Sequence, residues 1–205
     1  VLPKGVVVDF ATELEASHYI VRQHQDIAPV ITRITGGGGL GLRWPLARQF
    51  AGGAVQRLEP RIQLAGVMAN SDTIPNQDST QVEFDEGNLF RFNRAPGFDL
   101  IETGMRLNIG LAGDIDYPNQ TKIGWEIGRI YRTDNANSFT KTSGLQGHVS
   151  DWLLAAHVQT PLGIELVARS LLQNVGLLKK SELRASWHTS KHQLDATYVG
   201  LAADG

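Results

Sequence analysis

The chain has 205 residues, of which 41% are hydrophobic and 20% charged, and its formal net charge is -2. That balance excludes a disordered or collagen-like chain, and without a basic excess it excludes a general nucleic-acid binder. Cysteine is absent, which removes disulfides, thiolate nucleophiles and Cys-ligated zinc. No apolar run reaches the roughly 18 residues of a transmembrane helix, a test that a strand barrel passes because alternation dilutes its apolar residues. The chain opens at Val1 with neither an initiator methionine nor a basic-then-apolar leader. It is expected either to have lost a leader or to be a piece of something longer.

Period-two alternation runs through the chain and predicts strands throughout. Val6 to Val21 sets Val8, Phe10, Leu14 and Ala16 against Asp9, Glu13, Glu15 and Ser17. Val30 to Ala47 sets Ile34, Leu40, Leu42, Trp44 and Leu46 against Arg33, Gly37, Gly39 and Arg43. Arg57 to Met68 separates Leu58, Ile62, Leu64 and Met68 from Arg57, Glu59, Arg61 and Gln63. The clearest case is Asp99 to Gly113, with Ile101, Thr103, Met105, Leu107, Ile109 and Leu111 on one face. Its other face carries Glu102, Gly104, Arg106, Asn108 and Gly110. Gln120 to Arg132 places Ile123, Trp125, Ile127 and Tyr131 opposite Lys122, Gly124, Glu126 and Arg132. Four weaker segments follow: Gln146 to Val158, Gly163 to Gln173, Lys180 to His188 and Lys191 to Gly200.

No amphipathic helix is predicted, so the fold class is all-β. Many of the strands are long enough for the ~9–11 residues that a tilted strand needs to cross a bilayer. Tight connections (Gln49 to Ala54, Asp114 to Asn119, Thr160 to Gly163, Thr189 to Ser190) alternate with longer ones. The longer ones are Gln23 to Pro29, Asn70 to Phe98 and Thr133 to Gly144, and only Asn174 to Leu178 breaks the contrast. Short turns at one end and long loops at the other match an antiparallel up-and-down transmembrane β-barrel. A soluble β-sandwich, for example a carbohydrate-binding module, would also alternate. A passive porin or substrate channel would share strands, turns and outward apolar face.

The stretch from Leu58 to Glu102 is more specific. It contains Leu58-Glu59-Pro60 followed by Arg61, then Pro75-Asn76, Asp78-Ser79, Glu83-Phe84-Asp85, Asn88-Leu89-Phe90, Asn93-Arg94 and Gly97-Phe98-Asp99. This ordered set resembles the barrel domain of the LPS-assembly outer-membrane protein family, LptD (OstA/Imp). Leu100 departs from the pattern, because an arginine usually follows the Gly-x-Asp there. The family's disulfide-forming cysteines are missing too, so disulfide-controlled assembly does not carry over.

The resemblance implies that residues 1–205 are a segment of one barrel domain, drawn from its middle to late strands, with a long loop at 70–98 and no complete second domain. An odd set of about nine strands does not close, so further strands are expected outside it. It implies a non-enzymatic protein of the cell outer membrane that inserts lipopolysaccharide into the outer leaflet through a polar lumen and a lateral opening. Its partners would be lipopolysaccharide, an LptE-like plug lipoprotein, and periplasmic LPS-bridge proteins reached through an amino-terminal domain absent here. No cofactor is implied.

On this reading Arg106, Asn108, Lys122, Glu126 and Arg132 face the lumen, together with a concentration of glycines that includes Gly37, Gly39, Gly110, Gly124 and Gly128. Those glycines are expected chiefly to relieve crowding and permit curvature. Pro45 and Pro60 lie inside candidate strands and are expected at bulges. The acidic and phenylalanine-rich loop is expected to plug the barrel mouth, to pack upon itself, or both.

Catalytic readings fail on geometry. The six histidines form no metal-binding spacing, and the Gly36 to Gly39 run lacks the lysine of a phosphate loop. Ser150 points away from Asp151 and His157 along one strand. Asp72, Asp78 and Asp85 match no calcium loop.

Overall fold

A computed structural model describes residues 5–22, 29–70, 74–78, 82–173 and 177–202. Ser79 and Asp72 of the expected loop lie outside these residues, as does most of the connections predicted at Gln23 to Pro29 and Asn174 to Leu178. The strands are β1 (Val7–Ile20), β2 (Val30–Arg43), β3 (Leu46–Gln49), β4 (Val55–Ala69), β5 (Gly104–Asp116), β6 (Lys122–Ala136), β7 (Gly147–Val149), β8 (Trp152–Gln159), β9 (Ile164–Gln173), β10 (Leu177–His188) and β11 (Gln193–Leu201). They form one 11-stranded sheet in the order β1-β2-β4-β5-β6-β8-β9-β10-β11, with β3 beside β4 and β7 beside β6. Every pairing is antiparallel. The sheet is all-β and up-and-down as expected, and it does not close, since β1 and β11 are not paired with each other.

β6 runs on to Ala136 and β10 starts at Leu177, both beyond the expected strands, and three further departures from the alternation have local causes. The predicted strand Val30 to Ala47 is interrupted at Trp44 and Pro45. Arg43 faces Arg61 and Leu46 faces Leu58, so the register runs unbroken through the gap. The interruption is therefore not the expected bulge. Trp44 N–H donates to the Pro60 carbonyl at 3.0 Å, and Pro60, having no N–H, cannot return the bond.

The strand predicted from Asp99 starts only at Gly104, leaving Ile101 and Thr103 ahead of it. Side chains hold the preceding backbone out of the ladder: Asp78 Oδ2 accepts from the N–H of Asp99 (2.5 Å) and Leu100 (3.3 Å). Asn93 Oδ1 accepts from Glu102 N–H at 3.2 Å. Gly104 then turns the chain into the sheet at φ 93°, a backbone state open to glycine. The strand predicted over Gln146 to Val158 splits into β7 and β8, because Asp151 N–H leaves the ladder to reach the Gly144 carbonyl at 2.7 Å.

The tight connections Gln49 to Ala54, Asp114 to Asn119, Thr160 to Gly163 and Thr189 to Ser190 fall at one end of the sheet, and the long connections after β4 and β6 at the other, where β9 also leads into β10. Cross-strand register then sorts the side chains onto two faces. Leu40, Ile62, Leu64, Met68, Met105, Trp125, Leu166, Leu183 and Trp187 stand exposed on the outer face, Met68 at 79% and Leu64 at 50%. The inner face carries Arg33, Gln63, Arg106, Asn108, Glu126 and Arg132, but it is not polar throughout. Ile130, Leu153 and Leu171 also point inward and are almost fully buried. They make the core with Val82, Phe84 and Leu89 from the connection 70–103 and with Phe139 and Leu145 from the connection after β6. The core therefore lies between the sheet's inner face and its long loops.

Candidate functional site

The connection 70–103 leaves β4 at the long-loop end, crosses the inner face and re-enters the sheet at β5. Its Asx residues organise the backbone, as short polar side chains do when they compete with ladder bonds. Asn76 Oδ1 accepts from Asp78 N–H at 2.9 Å. Asp99 Oδ2 accepts from Gln77 N–H at 3.0 Å while Asp78 accepts from Asp99 N–H, so the two ends of the loop are cross-tied. Asn88 spans a turn, accepting from Asp85 N–H (3.2 Å) and donating to the Glu83 carbonyl (2.5 Å). Asn93 donates to the Leu100 carbonyl at 3.1 Å. Gly97 packs against Asp78, where any side chain would collide with the carboxylate.

Apolar side chains of the loop sit where the strands have no side chain. A Cβ on Gly110 would lie 2.9 Å from Phe90 Cζ, and one on Gly39 would lie 2.8 Å from Phe92 Cε1. Gly128 is overlain by Leu89, which is fully buried. Three of the glycines expected chiefly to relieve crowding and permit curvature thus also form notches that receive the loop.

Charge fixes the rest. Arg94 Nη1 donates to Glu102 Oε2 at 2.7 Å, and Arg132 Nε donates to Glu102 Oε1 at 2.7 Å. Arg106 donates to the carbonyls of Glu102 (3.0 Å) and Phe92. Arg94 also reaches the Leu89 carbonyl (2.6 Å) and Asn108 Oδ1 (3.3 Å), and Asn108 donates to Gln63 at 2.7 Å. Burial opposes the ionisation of Glu102, but Arg94, Arg132 and Arg106 outweigh it and hold the carboxyl below its ordinary range. Desolvation lowers the Arg94 guanidinium, and Glu102 beside it opposes that shift. At the loop's turn, partial burial would raise Glu86, yet its hydrogen bonds to Arg169, the shortest 2.7 Å, keep it low.

The motif residues do not all converge. Leu89, Phe90, Asn93, Arg94 and Glu102 gather with Arg106, Asn108 and Arg132 where the loop docks, whereas Asn88 holds the turn of Glu83 and Asp85. Phe84 joins the core, while Glu83, 3.5 Å from Lys180, and Asp85 flank the turn. Pro75 lies at the loop's half-buried start. Glu59, Pro60 and Arg61 lie away from the loop's core, toward the tight-turn end of β4, where Glu59 and Arg61 pair at 2.5 Å. Glu59 and Arg61, but not Pro60, line a cavity of about 520 Å³ with Arg57, Glu126 and Arg169. Lys122 is exposed at the first position of β6.

Alternation alone did not single out Arg33, Gln63 or Arg169. Arg33 is buried and donates to the carbonyls of Asp99 (2.7 Å) and Phe98 and to the Tyr19 hydroxyl (2.7 Å). Its signal in the sequence was slight: Arg33 shares its strand face with Arg43, Ile31, Thr35 and three glycines, and nothing in that pattern sets it apart.

The family model LptD, described as LPS transport system D, matches residues 2–204. No curated protein matches the chain. That family works at the outer membrane in lipopolysaccharide transport and assembly, and its members are not enzymes. A match over nearly every residue, on an open antiparallel sheet with an exposed apolar face, means that this chain belongs to the LptD family.

Proposed function

We propose that this chain is part of the wall of an outer-membrane barrel that delivers lipopolysaccharide to the outer leaflet, with the connection 70–103 as a constriction inside it. The observation that carries this is the two-sidedness of the sheet. Exposed Leu64, Met68 and Trp125 stand on one face, while buried Arg106, Asn108 and Arg132 lie under a docked loop on the other. A bilayer suits the first face, because a charge there would cost ~2–4 kcal/mol at the midplane. The inner face, with ion pairs and the 520 Å³ cavity, suits the hydrated anionic saccharide, while the acyl chains leave sideways through a lateral opening between strands. An LptE-like lipoprotein would share the lumen, and periplasmic bridge proteins would deliver substrate from below.

Spin labels placed singly at residues 122 to 127 of the full-length protein in bilayers test the reading. Oxygen accessibility should peak at 123, 125 and 127, and a polar relaxant should peak at 122, 124 and 126. Equal accessibility at adjacent positions would overturn the membrane assignment. A passive porin is the weaker alternative, because the docked loop covers the inner face of β2, β5 and β6.

A further inference from the structure

The cluster around Glu102 is not balanced in charge. Arg106 and Arg132 stand directly opposite each other on β5 and β6, an arrangement that repels when both are charged. Arg94 comes down on them from the loop. Against three guanidiniums stands one carboxylate: among the described residues Arg94 and Arg132 have ion pairs only with Glu102, and Arg106 has none. Asp134, two positions along β6, is exposed and accepts a hydrogen bond from the Thr133 hydroxyl. The neutral neighbours Asn108 and Gln63 bond to each other.

Four buried guanidinium nitrogens of the cluster (Arg94 Nε, Arg106 Nε, and Arg132 Nη1 and Nη2) have no hydrogen-bond partner among the described residues. Buried donors are almost always satisfied, and a buried uncompensated charge costs far more than a buried dipole. Water would satisfy the donors but not the excess charge. The chain itself closes the cluster, leaving the side chains of Arg94, Arg132 and Glu102 at 0%, 3% and 3% exposure. A lipid headgroup or a partner's side chain therefore has no way in. We propose that Arg94, Arg106 and Arg132 bind a small inorganic anion of chloride size, which joins Glu102 as a second counter-charge and holds the connection 70–103 on the inner face. The site does not depend on what the barrel transports.

Limited proteolysis of the loop in the full-length protein, in detergent micelles, tests this. Sodium chloride replaces sodium gluconate at constant ionic strength. Chloride should protect the loop saturably, slowing cleavage about tenfold at ten times its half-saturating concentration. Arg132→Gln should abolish the chloride dependence. Glu102→Gln should lower the half-saturating concentration, because it removes the competing carboxylate and leaves the arginines to the ion. In crystals grown from bromide, an anomalous peak should stand among the three side chains. Equal protection in chloride and gluconate for the wild type would overturn the proposal without reference to any variant. So would chloride dependence retained in Arg132→Gln, or weakened in Glu102→Gln.

Discussion

Glu102 joins three elements at one residue, since its carboxylate meets Arg94 of the loop and Arg132 of β6, and its backbone carbonyl meets Arg106 of β5. Its carboxyl is held below the ordinary value of 4.5. The docked loop therefore gains stability from it that is complete above that value and fades as pH falls through the lowered one. Protease protection of residues 82–102 should be flat from neutral pH down to the ordinary range and drop below it. Glu102→Gln should remove the drop and weaken docking by ~3 kcal/mol, because it strands buried guanidiniums. The glycine notches give a second prediction at this scale. Gly110→Val would drive a side chain into Phe90 and Leu89, and overpacking of this kind costs ~1–3 kcal/mol. The readout is faster loop proteolysis with an unchanged β-sheet circular dichroism spectrum, and slow cleavage would show that the notch tolerates filling.

The connection 70–103 behaves as an element in its own right, with an apolar centre at Phe84 and Leu89 and a backbone tied by Asp78, Asn88, Asn93 and Asp99. Its burial is shared with Ile130, Leu153 and Leu171 of the strands, so the loop packs as a small core built jointly with the sheet, and the plug proposed for it would be held by that packing. Leu89→Ala removes a fully buried side chain and should loosen the loop by ~2–5 kcal/mol. The strands would be untouched, because each remains paired along its length. Cells carrying Leu89→Ala should admit large antibiotics that the wild type excludes, whereas Leu162→Ala, exposed in a tight turn, should not. Equal sensitivity of the two variants would separate the loop from the permeability barrier.

At the scale of the whole molecule, the sheet has, among the described residues, a free edge at β1 and another at β11. Exposed Phe10 and Leu14 on β1 and Leu194 and Tyr198 on β11 show that the outer apolar band continues to both edges. An edge in hydrocarbon leaves backbone groups unpaired, at several kcal/mol each. Residues 1–205 expressed alone should therefore aggregate in detergent rather than fold as a monomer. The full-length protein should run as a heat-modifiable monomer on native-style gels, and a folded monomeric fragment would contradict the open-wall reading.

Alternation alone determined the all-β class, the main strands and the sorting of residues such as Trp125 and Lys122 onto opposite faces, because a period of two is a property of the local backbone. The ordered motif from Leu58 to Asp99 determined the family for the same kind of reason: it is written along the chain. Strand ends were less legible, since Asp78 and Asn93 draw Asp99 to Glu102 out of the ladder from positions that periodicity does not sense. Only the tertiary structure decided that Arg33 reaches the Phe98 carbonyl, that Gly39 and Gly110 receive phenylalanines, and that Glu102 faces three arginines. Those contacts join residues far apart in sequence. Burial and the proximity of the charges, which set their strength, exist only once the loop has been laid on the sheet.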